Sequence, residues 1–280
     1  MANDILNVPF SVLMSVYRND KPEFIARAIN SVTILQTLKP NEIVLVIDGP
    51  IPDELSMLIE TFEKSHEFNF NIIRLPENKG LGNALRIGIE KASNEIVARM
   101  DSDDISLPDR FEKQIGYLKT HPECDVVGGQ ISEFVGEENN NVGHRNVPCK
   151  HEDIIMWLRG RCPFNHMSVA MLRSRILAVG NYIDWHFNED YYLWIRMAQA
   201  GCKFANLPYT LVNVRVGADM YRRRGGWEYF RSEEGLQRYM LKYEMIGLLK
   251  YIYNVIGRFV IQVAMPNNVR GWVFQKLFRK

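Results

Sequence analysis

The sequence predicts an α/β fold in which helices flank a mostly parallel central β-sheet. Short aliphatic runs at residues 10–16, 42–47 and 95–98 lack polar alternation, which indicates strands buried on both faces. Segments with apolar residues at helical spacing lie between these runs, and strands that alternate with helices form parallel sheets. The 280 residues are long enough for one large domain with an appendage. We expect a domain over residues 1–219 and a helical extension over 220–280.

The predicted elements of the first half follow in order. Phe10–Val16 is the first strand, and Asp20 can cap a helix that begins near Pro22 and continues to Leu35. The other elements of this half are a strand over 42–47, a helix near 52–64, a strand near 70–75, a helix over 81–92 and a strand over 95–98.

Three carboxylates emerge together after the fourth strand. Asp101, Asp103 and Asp104 would repel one another unless something positive sits among them, and hard oxygen ligands suit Mg²⁺ or Mn²⁺. Mg²⁺ held by one or two carboxylates takes its other ligands from water and substrate phosphates, which indicates a nucleotide diphosphate. A solvated turn, or the cap of the helix that begins after Pro108, would give the same pattern.

Polar residues also follow the other strands. Ligands of parallel sheets bind beyond the carboxyl ends of the strands, so Tyr17 and Asp48 are expected to converge with Asp101. Asp48 beside Gly49 is equally typical of a turn. The glycine-rich stretch 78–83 opens a helix, where backbone N–H groups attract phosphate, but it matches neither a dinucleotide fingerprint nor a P-loop.

The second half of the domain, residues 111–219, has a different rhythm and is where an acceptor would be shaped. His166 and Ser168 are candidates to present a polar edge to that acceptor, although a lone histidine is more often structural. Shorter strands among loops are predicted near 125–134, 145–147 and 167–171.

The acidic pair Glu189 and Asp190 at the start of a helix is the second candidate for chemistry. Asp190 can act as a general base that takes a proton from an attacking hydroxyl, although acidic residues at this position also cap helices. The helix N-terminus would lower the pKa of Asp190, whereas burial among Trp185, Tyr191 and Trp194 would raise it. The sequence leaves the balance between these two effects open.

The net charge of +1 conceals a basic tail. Residues 220–280 carry 12 Lys and Arg against 4 Asp and Glu, a surplus of +8 that leaves −7 for residues 1–219. The four cysteines form no C-x-x-C pair, which disfavours a structural zinc site or a disulfide framework and favours a reducing compartment. The N-terminal residues show no signal-peptide pattern, so we expect a cytoplasmic protein.

The tail is predicted to contain an amphipathic helix within the apolar stretch 246–265. Four polar residues recur there at every fourth position: Lys250, Asn254, Arg258 and Gln262. Two cations in the middle of the stretch disfavour a membrane-spanning helix. Aromatic residues and cations after Pro266, together with Arg222–Arg224, favour the surface of the cytoplasmic membrane as the partner of residues 222–280. Packing on the protein body or an oligomer contact is the alternative, and dilution of the cations among aliphatic residues disfavours nucleic acid.

In their order along residues 8–215, these motifs resemble glycosyltransferase family 2, the inverting nucleotide-sugar enzymes with the GT-A fold. That fold has a Rossmann-like, mostly parallel central sheet with flanking helices. The segments that carry the resemblance are FSVLMSVY at 10–17, EIVLVID at 42–48, NKGL at 78–81, MDSDD at 100–104, His166–Ser168 and EDYYLWIR at 189–196.

The resemblance implies a nucleotide-binding half over 1–110 and an acceptor-side half over 111–219. Asp48 would accept a hydrogen bond from uracil, Asp103 would bind a metal ion that bridges the diphosphate, and Asp190 would be the catalytic base. The other implied nucleotide-binding residues are Ser15, Tyr17, Lys79, Gly80 and Asp101, of which Asp101 also faces the metal. The acceptor-side candidates are His166, Ser168, Trp185 and Glu189.

The resemblance further implies a Mn²⁺- or Mg²⁺-dependent hexosyl- or N-acetylhexosaminyltransferase. It would use a UDP-sugar and a lipid-linked saccharide acceptor in the synthesis of surface polysaccharide, at the inner face of the cytoplasmic membrane. One departure is that Gly217 and Ala218 stand where many relatives place a histidine near the metal. Alternatives are a non-catalytic membrane-associated scaffold that binds nucleotide-sugar, and a sugar-1-phosphate nucleotidyltransferase. The latter should have a glycine-rich, arginine-containing loop where Ser15–Asn19 stands.

Overall fold

The computed structural model describes residues 8–65, 67–217 and 225–265. The strands within these ranges are β1 Phe10–Val16, β2 Glu42–Ile47, β3 Phe70–Arg74, β4 Ile96–Arg99, β5 Ile105–Ser106, β6 Val126–Phe134, β7 Asn141–Arg145, β8 Ala170–Leu172 and β9 Phe204–Arg215. The helices are α1 Pro22–Val32, α2 Asp53–Ser65, α3 Leu81–Lys91, α4 Arg110–Thr120, α5 His151–Leu158, α6 Arg173–Ala178, α7 Glu189–Gln199, α8 Trp227–Lys242 and α9 Leu248–Phe259.

The first four strands confirm the predicted parallel sheet. They lie in the order β3-β2-β1-β4, and every adjacent pair is parallel. Val16 pairs with Ile47, so β1 and β2 end together, whereas Arg99 at the end of β4 pairs with Leu13. The chain that follows Arg99 therefore runs alongside the last residues of β1 and carries the acidic loop to the carboxyl edge of the sheet.

The second half extends this sheet with mixed pairing. β8 is antiparallel to both β4 and β6, β6 is parallel to β9, and the short β5 pairs with the end of β9. Several sequence-based boundaries were wrong. The first helix ends at Val32 rather than Leu35, residues 166–168 form a 3₁₀ turn, and the 12-residue strand β9 was not predicted. The division into halves at residue 110 stays a prediction.

Apolar layers cover both faces of the sheet. One layer packs α1, α2 and α4 against it through residues such as Ile25, Ile59 and Phe111. The other holds α3, α5, α7 and α8, with Trp194 of α7 completely buried. α3 approaches β1 so closely that a Cβ at Gly88 would lie 2.2 Å from Leu13 Cδ1. Because this second layer packs α3 beside α7, the start of α7 comes to the same edge as the acidic loop.

The C-terminal helices partly confirm the predicted tail. α9 continues into a π-helical turn at Val260–Ala264, so the chain is helical from Leu248, two residues inside the predicted start. Within the described ranges, no helix has the length and apolar character needed to cross a membrane. Arg222–Arg224, Ala218 and residues 266–280 lie outside the described residues, and so does the predicted boundary at 219.

Candidate active site

Asp48 joins the end of β2 to the glycine-rich loop before α3. Its Oδ1 and Oδ2 accept hydrogen bonds from the backbone N–H groups of Lys79 and Gly80, both at 2.9 Å. Gly49 has a φ of 84°, and a Cβ there would lie 2.5 Å from the backbone nitrogen of Asn78, so this turn requires glycine. Asp48 thus shapes the loop, and each of its oxygens keeps a second lone pair for a ligand.

Ser15 and Tyr17 lie at the carboxyl end of β1. Ser15 is half-buried and Tyr17 is exposed. The backbone N–H of Tyr17 donates to Asp20 Oδ2 at 3.0 Å, and the hydroxyl of Ser102 donates to the same oxygen at 3.1 Å. The turn after β1 is therefore bonded to the acidic loop after β4, and the predicted convergence of these strand ends is observed.

An acidic cluster that is only partly neutralised lies at this edge. It consists of Asp20, Asp101, Asp103 and Asp104. The pKa of Asp103 rises to about 6 because the surrounding protein removes water and because Asp101 and Asp20 add negative charge. Burial is the main reason that the pKa of Asp20 also rises to about 6, and Asp104 shifts in the same direction. Since β5 separates this cluster from α4, its carboxylates do not cap that helix.

Two arginines flank the acidic cluster. Arg99 is completely buried and forms an ion pair with Asp101, while its Nε and Nη1 meet no hydrogen-bond acceptor among the described residues. Arg215 lies at the end of β9. Its backbone N–H donates to Asp104 Oδ1 at 2.8 Å, and its Nε donates to the carbonyl of Asp103 at 3.2 Å. Arg215 therefore fixes the backbone of the acidic loop, and Arg99 supplies positive charge beneath it.

The acidic cluster suits a divalent cation that shares its coordination with a ligand. Within the described ranges, no three His, Cys, Asp or Glu side chains form a ready-made cage for an ion. The raised pKa of Asp103 nevertheless indicates negative charge that the protein itself does not neutralise. Two carboxylates completed by phosphate oxygens and water are a common arrangement for Mg²⁺. Asp101 and Asp103 are the residues that would hold such an ion.

Asp190 opens α7 as the sequence predicts. Its Oδ1 accepts the backbone N–H of Tyr191 at 2.7 Å, and its Oδ2 accepts the thiol of Cys162 at 3.5 Å. The Tyr191 N–H, the Cys162 thiol and the charges of Arg99 and Arg145 lower the pKa of Asp190, but burial outweighs them and the pKa is raised overall. The sequence left open whether burial or the helix N-terminus has the larger effect on the pKa of Asp190. In the structure burial has the larger effect, and the raised pKa favours a role as a general base.

Glu189 lies where α7 meets α3. Burial, together with the charge of Asp190, raises its pKa to about 7. A Cβ at Gly82, in the first turn of α3, would lie 3.1 Å from Glu189 Cβ. The absence of a side chain at Gly82 therefore lets the base-carrying helix start directly beside the loop that Asp48 holds.

The Arg99 guanidinium interacts with both the acidic cluster and the pair Glu189 and Asp190 at the start of α7. It is paired with Asp101, and its positive charge lowers the pKa values of both Glu189 and Asp190. The charge of Asp101 in turn raises the pKa of Glu189. Carboxylates that are almost ninety residues apart in sequence thus lie within electrostatic reach of one another around a single edge of the sheet.

His166 and Ser168 lie beneath this edge. His166 Nε2 is 2.8 Å from the hydroxyl of Tyr182, and burial keeps the pKa of the imidazole well below its usual value. The hydroxyl of Ser168 is completely buried and donates to the carbonyls of Gly129 and Asn165. The structure buries Ser168 completely, so its hydroxyl supports the fold instead of contacting an acceptor. The acceptor-side role of His166 stays a prediction.

Trp185 is held between α7 and the C-terminal helix α8. Its Nε1 donates to the carbonyl of Ser232 in α8 at 3.0 Å, and its ring packs on Tyr192 with centroids 4.5 Å apart. A Cβ at Gly235 would lie 2.9 Å from Trp185 Cζ2. Trp185 therefore anchors the segment before α7 to α8, and an acceptor-side role for it stays a prediction.

Sequence reasoning missed four contributors: Asp20, Gly82, Arg99 and Cys162. Asp20 was interpreted only as a helix cap, and nothing in the sequence indicates that Cys162 meets Asp190. Arg99 did leave a signal, since an arginine that directly follows a buried strand requires negative partners nearby.

Fold and site together are those of an α/β enzyme with polar side chains at the carboxyl ends of its parallel strands. The family model described as Glycosyl transferase family 2 matches residues 11–180. A Haemophilus influenzae glycosyltransferase is 40% identical over 271 residues, covering 97% of this chain and 99% of its own length. The amylovoran biosynthesis glycosyltransferase AmsE of Erwinia amylovora is 38% identical, covering 95% of this chain and 98% of its own length. The chain belongs to glycosyltransferase family 2.

Three further proteins are similar to this chain in sequence or in fold. The Escherichia coli UDP-Gal:α-D-GlcNAc-diphosphoundecaprenol β-1,3-galactosyltransferase is 31% identical, covering 97% of each chain. Staphylococcus aureus TarS in complex with UDP-GlcNAc superposes with a TM-score of 0.64 at 15% identity, over 90% of this chain and 73% of that one. A Pyrobaculum calidifontis mannosyltransferase in complex with GDP-Man and Mn²⁺ gives 0.62 at 14% identity, over 98% and 80%. These two structural likenesses confirm the GT-A fold.

Proposed function

We propose that this chain is a metal-dependent inverting glycosyltransferase. It moves a hexosyl or N-acetylhexosaminyl group from a UDP-sugar to a hydroxyl of a lipid-linked saccharide. The observation that carries the proposal is the common electrostatic environment of Asp101 and Asp190, which are both influenced by the buried Arg99. Donor binding and base catalysis therefore have their residues at one edge of the sheet.

On the donor side, the proposed nucleotide-binding residues lie at the ends of β1 and β2 and in the loop before α3. Asp48 and the loop at Lys79 and Gly80 hold the nucleoside, with Ser15 and Tyr17 beside it. A divalent cation between Asp103 and the diphosphate would stabilise the negative charge that builds on the leaving UDP. The raised pKa of Asp103 supports this assignment, because a carboxylate that is costly to ionise alone gains most from a cation.

On the acceptor side, Asp190 is the proposed base. Its carboxylate takes the proton of the acceptor hydroxyl while the hydroxyl oxygen attacks the anomeric carbon and the bond from that carbon to the diphosphate breaks. Attack and departure on opposite sides of the sugar invert the anomeric centre. Tyr191 and Cys162 orient the carboxylate through their hydrogen bonds.

The acceptor and the location are inferred from relatives. The E. coli relative is named for a diphosphoundecaprenol acceptor, and AmsE is named for amylovoran biosynthesis. By analogy, this chain extends a lipid-linked saccharide of a bacterial surface polysaccharide, on the inner face of the cytoplasmic membrane and at its periphery. The turn after β1 has no glycine, which counts against a nucleotidyltransferase.

The test is a turnover measurement on the full chain. A panel of UDP- and GDP-sugars is incubated with a diphospholipid-linked GlcNAc acceptor and Mn²⁺, and product anomers are assigned by NMR. We expect transfer from a UDP-sugar with inversion and its loss when EDTA is added. Donor binding without any transfer or hydrolysis would support the scaffold alternative, and a product that retains the donor configuration would overturn the mechanism.

A further inference from the structure

The helix α9 faces the opposite way from an ordinary surface helix. Three of the four residues of its polar stripe point toward the protein: Asn254 and Gln262 are only 6% and 4% exposed, and Arg258 is largely buried. The fourth, Lys250, is exposed. The side-chain amide of Asn254 donates to the carbonyl of Arg159 at 2.9 Å, and Arg258 Nη2 donates to the carbonyl of Gly160 at 2.8 Å. The sequence predicted this stripe, but only its contacts show that it faces the protein body.

The other side of α9 presents large apolar residues to solvent. We call this set the insertion face: Leu248, Leu249, Ile252, Tyr253, Ile256, Phe259 and Val260. Leu249 and Tyr253 are 84% and 73% exposed, and their spacing of three and four places the set along one side of a helix. Trp227 of α8 is also exposed and packs on Phe259 with centroids 5.8 Å apart. Contiguous apolar surface of this kind marks an interaction site.

Rotation of α9 about its axis could not bury the insertion face against the protein body. Arg258 forms an ion pair with Glu233 at 2.9 Å, and both residues are largely buried. Turning the apolar side inward would break this pair and the hydrogen bonds of Asn254 to Arg159. Leaving buried charged partners unpaired is strongly unfavourable, so the occupant of the face must come from outside the packed body.

We propose that the insertion face enters the interfacial region of an anionic lipid bilayer. Interfacial helices combine an apolar face with nearby aromatic and cationic residues. Lys250 is exposed on this side of the helix, with its Nζ 5.4 Å from the centroid of the Tyr253 ring. Residues 220–280 carry a surplus of +8, and the sequence from 266 to 280 adds three aromatic residues and four cations. Two copies that met through this face would bring their Lys250 side chains to one interface, whereas anionic lipid would neutralise that charge.

The insertion face is also connected to the proposed catalytic base. The segment 158–162 receives hydrogen bonds from α9 at Arg159 and Gly160, and its Leu158 carbonyl accepts the Tyr191 hydroxyl at 2.6 Å. Cys162, two residues after Gly160, contacts Asp190. If the proposed function is correct, lipid binding by α9 holds the base against the surface from which a lipid-linked acceptor emerges.

The experiment is flotation of the full chain with vesicles of phosphatidylcholine, alone or with a quarter phosphatidylglycerol. We expect the wild-type chain to float with the anionic vesicles. The double variant Leu249→Asp/Ile256→Asp should lose at least about tenfold in vesicle binding. The matched control Met57→Asp/Val142→Asp, which changes exposed apolar residues elsewhere, should float like the wild type. Equal flotation of the two double variants would overturn the proposal.

A fluorescence measurement identifies other occupants of the face. A solvent-sensitive dye is attached to Ile256→Cys, and the labelled wild-type chain provides the background from its own cysteines. We expect a blue shift only when anionic vesicles are added. A blue shift without vesicles would overturn the proposal in favour of a second copy if it grows with protein concentration, or of the chain's own tail if it does not. Hydrolysis of UDP-sugar in solution is measured in parallel, so failure of lipid binding is distinguishable from failure of the enzyme.

Discussion

The donor-side and base-side carboxylates have raised pKa values for different reasons. Around Asp103, burial and two neighbouring carboxylates act in the same direction. Around Asp190, burial is opposed by a backbone N–H, a thiol and two arginines. The first environment is one that a cation completes, whereas the second orients a carboxylate through hydrogen bonds and leaves its pKa raised. Similar acidic residues can therefore have different roles, depending on whether carboxylates or hydrogen-bond donors surround them.

The largest expected effect separates these two tasks. Asp190→Asn removes the base while its amide oxygen can still accept the Tyr191 N–H, although the amide nitrogen cannot accept the Cys162 thiol. We expect kcat to fall by roughly 10²–10⁴-fold with little change in donor affinity. Asp103→Asn should weaken Mn²⁺-dependent donor binding as well as turnover. Steady-state kinetics and calorimetric titration of UDP measure the two effects, with the exposed Asp53→Asn as the control. Identical kinetic profiles for the two site variants would contradict the division of tasks.

A smaller effect is expected where α3 and α7 touch. Gly82→Ala places a methyl group 3.1 Å from Glu189 Cβ and should displace the start of α7, lowering kcat by about tenfold through a misplaced base. Gly257→Ala is a suitable control because its Cβ would meet nothing within 4 Å. Turnover of UDP-sugar in solution and the melting temperature are compared for both variants. Unchanged kcat in Gly82→Ala would show that the contact does not position the base.

The smallest effect concerns stability and pH in the absence of metal. A carboxyl group whose pKa is about 6 in the folded state and 3.8 as a model group binds its proton more readily in the folded protein. Its ionisation therefore lowers stability as pH rises from about 4 to 6, and this cost is fully present at pH 7. Asp20→Asn should raise the melting temperature at pH 7 by about 2–4 °C for each kcal/mol gained in the free energy of unfolding. At pH 4 we expect no gain.

Calorimetry with EDTA at both pH values measures this difference. Mn²⁺ with UDP should stabilise the wild type most above pH 6, where Asp20 and Asp103 are ionised. An equal change in the melting temperature of Asp20→Asn at pH 4 and pH 7 would show that ionisation of Asp20 does not destabilise the folded protein. Asp109→Asn, just before α4, serves as the control because Asp109 pairs with Lys113 at the surface and is not part of the acidic cluster.

The parallel half of the fold was predictable because its signals are local. Aliphatic runs of four to seven residues and helical spacing between them are visible within short windows, and β1 to β4 were identified in this way. β9 was missed because Asn206, Pro208 and Asn213 interrupt its apolar pattern, and its strand character depends on pairing with β6. The candidate carboxylates were recognised from motif order, but their partners Arg99 and Cys162 come from distant parts of the chain.

The amino-acid sequence alone determined which residues form the polar stripe of α9, since a spacing of four follows from helix geometry. It also determined that acidic residues end β2 and β4 and begin α7. Only the tertiary structure decided that the stripe turns inward, because the carbonyls of Arg159 and Gly160 offer its donors partners that no local pattern reveals. The same holds for Asp190, whose pKa depends on how much protein surrounds it rather than on its neighbours in sequence.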